Sequence, residues 1–377
     1  MDIEFRHKAE KFVFELPYKQ EPFGNRNWGH LWHSLCSYHG KLKPAIAHWL
    51  VSEFTRTGDI VLDPLCGVGT IPFEACLQGR IGIGNDLSEM AYVVTKAKVE
   101  KPCYSDVLIV IQQLNEYIER NKKNRSAAEY ENFGFNGKLP SYFEAETYRE
   151  ILCARTFFLE RLSALSSDEA MVFSALLHVL HGNRPYALSR HSHPLTPYAP
   201  TGDFEYKNVI EKISQKVNTN YKSSEIENLK SGSAIYGDYR DLAERRITAD
   251  CIISSPPFAD SIRFYMQNWM RLWLCGWEPN DYKTADEKFL DKNQEKNFDL
   301  YLSFFEMCSL VLNNHGKMIL HLGKTKSVDM GMELSKRARQ WFDIVYLAGE
   351  DVSSVEKHGI KDKGVTVEHQ FLFLQKK

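Results

Sequence analysis

Several features that would assign a function at once are missing from this sequence of 377 residues. No apolar run is long enough to cross a membrane, and the charged N-terminus lacks a signal-peptide core, so we expect a soluble, cytoplasmic protein. The eight cysteines include no Cys-x-x-Cys pair, and several lie in apolar runs, which indicates reduced, buried thiols in an intracellular protein. The net charge is −2, so no overall basic field indicates nucleic acid, although a local groove can still be basic.

Recognisable metal-binding patterns are also missing. His30, His33 and His39 stand close together in the sequence, but their spacing fits no standard site, so polar or stacking roles are expected. His191 and His193 form a His-x-His pair beside an arginine and without nearby carboxylates or cysteines. The sequence therefore predicts no metal.

Neither the G-x-G-x-x-G dinucleotide fingerprint nor a P-loop occurs, but a different glycine-rich turn does. A short predicted strand, 60–62, leads into Asp63-Pro-Leu-Cys-Gly-Val-Gly-Thr70, and a helix is predicted from about 71 to 78. Gly67 and Gly69 allow the backbone to approach a ligand closely, and the helix N-terminus presents free N–H groups. This pattern predicts the cofactor-binding first unit of an α/β sheet.

A second predicted strand, 81–85, ends at Asp86, about 20 residues after the glycine turn. An acidic side chain at the end of this strand grips the hydroxyls of a nucleoside ribose. Asp86 could instead cap the helix predicted over 89–99. Ser88 suits that cap better, which leaves Asp86 for a ligand.

The stretch Asp250-Cys-Ile-Ile-Ser-Ser-Pro-Pro-Phe258 combines a strand with polar and aromatic side chains. Its apolar run predicts a buried parallel strand, 251–253, which must end at the two prolines. Residues 255–258 therefore lie beyond the carboxyl end of a strand, where open α/β sheets bind ligands. Ser255 and the carbonyl of Pro256 can accept hydrogen bonds from an exocyclic amine, and Phe258 offers a face for its ring. The alternative interpretation is a proline-rich strand exit followed by a core aromatic.

Together these segments resemble the S-adenosylmethionine-dependent amino-methyltransferases of DNA. The resemblance covers roughly residues 28–100 and 233–375, and it rests on four strings in the family's order: His39-Gly-Lys-Leu-Lys-Pro44, Gly58-Asp59, the turn 63–70 and Ser255-Pro-Pro-Phe258. A Ser-Pro-Pro-aromatic tetrapeptide is typical of the cytosine-N4 enzymes, whereas the adenine-N6 enzymes more often have Asp-Pro-Pro-Tyr. The sequence departs from the pattern in two ways: Phe258 replaces the commoner Tyr, and a long insertion interrupts the fold.

The resemblance implies an α/β fold of the Rossmann-like class I methyltransferase type, with a mostly parallel seven-stranded sheet and a reversed final strand. It divides the chain into an N-terminal arm (1–28), a cofactor half of the core (29–102), a mainly helical insertion (103–232) and a catalytic half of the core (233–377). The strands are expected at 60–62, 81–85, 233–236, 251–253, 317–322, 343–347 and 370–374.

The resemblance also assigns the residues of the site. S-adenosylmethionine is the implied cofactor, with Asp238 on its adenine amine, while Asp241 is expected to cap the helix that begins near 242. A flipped cytosine is expected to stack on Phe258 while Ser255 and the Pro256 carbonyl orient its amine, and no catalytic cysteine is implied. The implied cofactor-binding residues are Lys43, Asp63, Pro64, Cys66, Gly67, Gly69, Thr70, Asp86 and Asp238, and the implied catalytic residues are Ser255, Pro256, Pro257 and Phe258.

The insertion is expected to place helices within 107–120, 144–165 and 168–181 on the sheet, followed by an irregular segment, 181–202. Long irregular loops in compact domains are usually functional, so we expect this one to grip a nucleic-acid strand, with a structural Ω-loop as the alternative. Later in the chain, an aromatic helix is predicted over 259–277, and the charged stretch after it is expected to form a lid or surface loop. The predicted substrate contacts are Arg184, Arg190, His191, His193, Arg263 and Asn268.

The resemblance thus implies methylation of cytosine N4 in double-stranded DNA, with a restriction endonuclease as a candidate partner. Three alternatives stay open: an adenine-N6 DNA enzyme, an RNA amino-methyltransferase of the guanine-N2 type, and a non-catalytic nucleic-acid-binding module of the same fold. No recognisable RNA-binding module precedes the sheet, which favours DNA. The intact Ser255-Pro-Pro-Phe258 and Gly67-Val-Gly69 strings argue against a module that has lost catalysis.

Overall fold

One seven-stranded sheet forms the centre of the computed structural model. The structure describes residues 2–25, 27–38, 40–183, 185–194, 196–222, 229–259, 264–294, 297–352 and 366–377. The strands are β1 (Ile60–Asp63), β2 (Ile81–Asp86), β3 (Ser233–Tyr236), β4 (Ala249–Ser254), β5 (Leu312–Thr325), β6 (Phe342–Asp351) and β7 (Thr366–Lys376).

The strands lie in the spatial order β3-β2-β1-β4-β5-β7-β6. Neighbours from β3 to β5 pair in parallel, whereas β7 is antiparallel to both β5 and β6. This arrangement confirms the predicted class I methyltransferase fold, including the reversal of the final strand.

Each of the seven predicted strands is present, and most are longer than the sequence indicates. The inner strands are unbroken apolar runs because helices cover both faces of a parallel sheet, and Leu62, Ile252 and Ile253 are fully buried. Strand β4 ends at Ser254, just before the Ser255-Pro-Pro-Phe258 segment, as the two prolines require.

Helices cover the sheet on both faces. On one face, α1 (Ile3–Glu15) and α2 (Pro44–Phe54) pack on apolar side chains of β1, β4, β5 and β7. On the other face, α13 (Leu300–Val311) and α14 (Met330–Ala338) pack on the alternate side chains of the same strands. Helices α3 (Thr70–Leu77) and α4 (Glu89–Val99) follow β1 and β2 respectively.

The N-terminal segment, predicted as an arm on the protein surface, instead contributes buried side chains to the core. Phe5, Ala9 and Phe12 recur at helical spacing on α1, and all three are buried. The Phe12 ring centroid lies 5.3 Å from that of Phe371 and 5.7 Å from that of Phe54. This helix therefore fills the space between α2 and the reversed end of the sheet.

The helices of the insertion were predicted to pack on the sheet. In the structure the insertion contacts the core mainly through α4. Its helices are α5 (Tyr104–Asn121), α6 (Ala145–Leu159), α7 (Ser167–Val179) and α8 (Val209–Tyr221). Helix α7 packs on α4 and is flanked by α5 and α8. Together with α4 these helices form a large apolar core beside the sheet.

The predicted aromatic helix over 259–277 is interrupted. Helices α9 (Phe264–Gln267) and α10 (Trp269–Leu274) are separated by Asn268, and α11 (Asp281–Lys288) and α12 (Leu290–Asn293) follow in the charged stretch. Along the described ranges, no helix has the length and apolar character that spanning a lipid bilayer requires.

Candidate active site

A cavity of about 830 Å³ lies at the carboxyl ends of β1, β2, β3 and β4. In the sheet, β1 and β4 are neighbours from which the strand order runs outward in both directions, and ligands of open α/β sheets bind at this kind of switch point. Cavities that bind small ligands have volumes of about 300–1,000 Å³. The volume therefore suffices for a nucleoside cofactor together with part of a second ligand.

Most of the residues that the sequence assigned to cofactor and catalysis line this one cavity. They lie at or just after the carboxyl ends of β1, β2, β3 and β4 and at the start of α2, and the order of the strands in the sheet brings them together. The lining residues among them are Lys43, Asp63, Cys66, Gly67, Thr70, Asp86, Asp238, Ser255, Pro256, Pro257 and Phe258.

Pro64 and Gly69 are not among the residues that line the cavity. Both contact other parts of the protein that hold the glycine-rich turn in place. The carbonyl of Pro64 accepts a hydrogen bond of 3.1 Å from Nδ2 of Asn85. Gly69 has a φ of 69°, and a Cβ there would lie 2.7 Å from Oγ1 of Thr95. Gly69 is thus required by its own conformation and by close packing on α4, not by the approach of a ligand.

Asp86 fastens the glycine-rich turn to the end of β2. One carboxylate oxygen accepts a hydrogen bond of 2.9 Å from the Gly67 N–H, and the other accepts one of 2.9 Å from the Ser88 N–H. Burial raises the pKa of Asp86 to about 6 despite these two donors. Ser88 caps α4, as the sequence predicts. Asp86 therefore lines the cavity and also accepts hydrogen bonds within the protein. The sequence predicted only a role in binding a ligand.

Asp63 joins the ends of the two central strands. It is almost fully buried, and its Oδ1 accepts hydrogen bonds from Oγ of Ser254, at 2.7 Å, and from the Leu65 N–H, at 3.2 Å. Burial raises the pKa of Asp63 to about 7 because these two donors only partly replace water. This carboxyl group therefore titrates near neutral pH at the edge of the cavity.

Asp238 caps the turn after β3, and this overturns the sequence prediction that Asp241 provides the cap. Its Oδ1 accepts hydrogen bonds from the Arg240 N–H, at 2.9 Å, and from Nε of Arg240, at 3.0 Å. Burial opposes ionisation of Asp238, but the hydrogen bonds from Arg240 outweigh it and lower the pKa of this carboxyl. Asp238 is therefore a carboxylate with a guanidinium beside it, and both line the cavity.

The segment 255–258 is held by residues that are distant in sequence. Oγ of Ser255 lies 3.1 Å from Nδ1 of His321, and the carbonyl of Pro257 accepts a hydrogen bond of 3.0 Å from Nε2 of Gln294. Within the described ranges, no group donates a hydrogen bond to the carbonyl of Pro256. The ring of Phe258 lies 5.4 Å from that of His321, between centroids. Among the described residues, the Pro256 carbonyl thus stays available to accept a hydrogen bond from a ligand.

His321 lines the cavity and was not found from the sequence. It lies in the buried strand β5, and burial, with a contribution from the charges of His369 and Lys43, holds its pKa well below the ordinary value. Its Nε2 is buried and has no hydrogen-bond partner in the part of the chain that the structure describes. The only sequence signal was a histidine inside an apolar strand, which also fits a core residue.

The predicted substrate contacts do not gather at the cavity. Arg184 and Arg263 lie outside the described residues, and none of Arg190, His191, His193 and Asn268 lines the cavity. Arg190 donates hydrogen bonds to the carbonyls of Gly202 and Ser141, and its guanidinium lies 4.3 Å from the Phe204 ring centroid. Arg190 therefore ties the irregular loop together.

The other three residues of this group also have local roles. The backbone of His191, whose side chain is exposed, pairs with Thr201, and the carbonyl of His193 lies 3.2 Å from Nδ1 of His181. Asn268 is buried and donates a hydrogen bond of 3.1 Å to the carbonyl of Phe264. These contacts fit the structural interpretation of the irregular loop and of the α9–α10 junction.

The histidines near the N-terminus have the polar roles that the sequence predicts, in so far as the structure describes them. Nε2 of His33 lies 2.7 Å from Oε1 of Glu74, and Nδ1 of His30 accepts a hydrogen bond of 3.1 Å from the Trp32 N–H. His39 lies outside the described residues. The described residues contain no cluster of three or more histidine, cysteine or acidic side chains that could hold a metal ion.

Residues 32–138 match a family model described as an RMKL-like methyltransferase domain. The matched range contains α2, β1, the glycine-rich turn, β2 and Asp86, and it ends within the insertion. All the residues that the resemblance assigned to the cofactor, except Asp238, therefore lie within the range of this methyltransferase family match.

Two curated proteins are similar over shorter segments. The Type II methyltransferase M.MthZI of Methanothermobacter thermautotrophicus is 28% identical over 90 residues, which are 24% of this chain and 25% of that protein. The Type II methyltransferase M.MjaII of Methanocaldococcus jannaschii is 29% identical over 69 residues, which are 18% of this chain and 13% of that protein. The matches span a quarter or less of the length of these relatives.

Among solved structures, TrmN from Thermus thermophilus matches with a TM-score of 0.36 and a sequence identity of 14%. The match covers 90% of this chain and 50% of TrmN. Together, the family model and the two curated relatives support a methyltransferase.

Proposed function

We propose that the protein transfers a methyl group from S-adenosylmethionine to the exocyclic N4 amine of cytosine in DNA. The observation that carries the proposal is a shared cavity: the segment 255–258 borders the same 830 Å³ as the glycine-rich turn and Asp86. Direct transfer between two ligands requires that their sites adjoin, and much of the rate then comes from alignment.

The residues around the glycine-rich turn fit a nucleoside cofactor. Gly67 has a φ of 50°, a conformation that favours glycine, and its backbone lines the cavity beside the Tyr38 ring. The carboxylates of Asp86 and Asp238 can accept hydrogen bonds from the ribose hydroxyls and the adenine amine respectively. When bound there, S-adenosylmethionine supplies an electrophilic methyl group.

The segment 255–258 fits the amine of a base. The Pro256 carbonyl and Oγ of Ser255 accept hydrogen bonds from the two amine N–H groups and so turn the nitrogen lone pair out of the ring plane, while Phe258 supports the ring by stacking. The bond between the nitrogen and the methyl group would form as the methyl–sulfur bond breaks and the sulfur leaves as a neutral thioether, and the nitrogen would then release one proton to water. No strong base is needed, because that proton becomes acidic only after the methyl has arrived.

One observation favours cytosine over the other amine-bearing bases, and a second supports DNA as the substrate. The serine at position 255 is the residue typical of the cytosine-N4 enzymes in the resembling family, and the two curated relatives are both named Type II methyltransferases. An amine inside a duplex cannot reach a cavity at the end of a sheet, so the base must be flipped out.

The test is mass spectrometry of nucleosides digested from DNA and from RNA after incubation with the protein and isotope-labelled S-adenosylmethionine. Labelled N4-methylcytosine from DNA is the expected product. Label on adenine, or in RNA alone, would contradict the proposed substrate and keep the chemistry. If the cofactor does not bind, the enzyme proposal is wrong.

A pair of variants ties the product to this site. Phe258→Ala is expected to lose transfer and to keep the affinity for the cofactor, because it removes the stacking face and leaves the glycine-rich turn intact. Phe14→Ala is the matched control, since Phe14 is 90% exposed on α1. Full activity of Phe258→Ala would rule out the stacking role.

A further inference from the structure

Gln267 is a largely buried polar side chain that lines the cavity and has no hydrogen-bond partner among the described residues. It is the last residue of α9, it lines the cavity, and it is only 6% exposed. Nothing in the described ranges forms a hydrogen bond with its amide. Its amide atoms reach the cavity, so a ligand that fills the cavity would displace their water, and an amide that loses water without gaining a hydrogen bond is destabilised. The position therefore indicates that a ligand supplies the partner.

The surroundings of Gln267 are those of a planar ring. Phe264 precedes it by one helical turn, so both side chains lie on the same face of α9, and both line the cavity. The Phe264 ring lies 5.5 Å from the Tyr38 ring, and the Tyr38 ring covers Gly67. This face of α9 therefore offers an aromatic wall and an amide beside the cofactor turn.

On the opposite side of the cavity, the segment 255–258 offers hydrogen bonds only to the amine of the base. The carbonyl of Pro257 accepts a hydrogen bond from Gln294, so the Pro256 carbonyl and Oγ of Ser255, beside His321, are the acceptors proposed for the amine. The ring nitrogen beside that amine needs a donor if it is to be buried with the amine. Among the described residues that line the cavity, Gln267 is the amide whose N–H groups donate no hydrogen bond.

We infer that Gln267 reads the Watson–Crick edge of the target base by donating an amide N–H to the ring nitrogen next to the amine that is methylated. Cytosine and adenine present an unprotonated nitrogen there, whereas guanine presents an N–H. The inference rests on the proposed function, and it restricts the substrate to bases whose Watson–Crick edge carries an amine beside an acceptor nitrogen.

Two substitutions in the full-length protein test the donor. Gln267→Met keeps the length of the side chain and removes its polar group, and Gln267→Glu keeps an acceptor and removes the donor. The control is Gln113→Glu, the same chemical change on the exposed side of α5. The readouts are kcat and KM for transfer of labelled methyl groups to unmodified genomic DNA, calorimetric binding of S-adenosylmethionine, and the thermal unfolding midpoint.

For Gln267→Met we expect kcat/KM to fall about tenfold, the value of one hydrogen bond to a base edge. For Gln267→Glu we expect a further fall, on the order of a hundredfold in total, because a carboxylate faces an acceptor nitrogen. Cofactor affinity should stay unchanged in both. The unfolding midpoint of Gln267→Met should stay close to that of the wild type, because the amide forms no hydrogen bond within the described residues that the substitution could remove.

Three outcomes would overturn the inference. Wild-type kcat/KM in Gln267→Glu would mean that the residue accepts and does not donate, as guanine would require. Wild-type kcat/KM in Gln267→Met would mean that the amide contacts no base. A lowered unfolding midpoint in parallel with lost activity would assign Gln267 a structural role. These results are distinct from failure of the proposed function, in which the wild type itself labels no base.

Discussion

Phe258 lies so close to Gly323 of β5 that a Cβ on Gly323 would fall 2.5 Å from Cδ2 of the ring. The ring therefore rests directly on the backbone of the neighbouring strand, with the rings of His321 and His369 within 6 Å of its centroid. The absence of a side chain at Gly323 thus decides where the Phe258 ring can lie.

This relationship predicts the effect of Gly323→Ala. Because the new methyl group would displace the Phe258 ring, we expect kcat for methyl transfer to fall by about tenfold or more while cofactor affinity stays the same. Gly182→Ala is the control, since a Cβ there would meet its neighbours at 3.5 Å or more. Unchanged kcat in Gly323→Ala would show that the ring position does not matter for transfer.

Asp86→Ala is expected to weaken cofactor binding by about 10- to 100-fold, as the loss of hydrogen bonds to a charged group implies. The substitution removes the proposed ribose acceptor and also releases the Gly67 N–H, to which Asp86 is bonded at 2.9 Å. Titration calorimetry with S-adenosylmethionine measures the effect, and Asp106→Ala, an exposed change on α5, serves as the control. An unchanged Kd would contradict the assignment of Asp86 to the cofactor.

The contact between Ser255 and His321 predicts different results for two substitutions of the histidine. In His321→Asn the amide can take the place of Nδ1 beside Ser255, whereas His321→Leu leaves the hydroxyl without this partner. We expect kcat to be largely kept in the first variant and to fall about tenfold in the second, with the same cofactor affinity. Equal kcat values for the two variants would show that the contact does not orient Ser255.

The buried carboxyl of Asp63 predicts a pH dependence of stability. Its pKa is raised from 3.8 to about 7, so the folded protein binds this proton more tightly than the unfolded chain. The contribution is fully present at low pH and is lost as the pH rises from about 4 to 7, by at most about 1.4 kcal/mol per pH unit. Asp86 acts in the same direction up to a pH of about 6.

Urea unfolding between pH 6 and pH 7 gives Asp63 the larger share of the change, because Asp86 is already about half ionised at pH 6. As the pH rises across this interval, the wild type should lose stability because Asp63 ionises. Asp63→Asn should not, since the amide does not ionise, so its free energy of unfolding should increase relative to that of the wild type. Asp86→Asn provides the comparison, and its difference from the wild type should grow mainly below pH 6. A constant difference for Asp63→Asn would show that Asp63 is ionised throughout.

Local sequence determined the strands and the two motifs. A short apolar run can be buried on both sides only as an inner strand, a proline pair ends such a strand, and a glycine-rich turn before a helix sets the shape of the first unit. These are effects within a few residues, so the end of β4 at Ser254 and the cap of α4 at Ser88 were predictable.

The tertiary structure decided what each of these segments contacts. Ser255 meets His321, Phe258 meets Gly323, and Asp238 rather than Asp241 caps its turn. Hydrophobic periodicity shows which face of an element is buried, but not which strand or helix covers it, and it does not reveal that Gln267 is buried without a partner. Those facts follow from the order of the strands in the sheet, which brings together residues that the sequence keeps far apart.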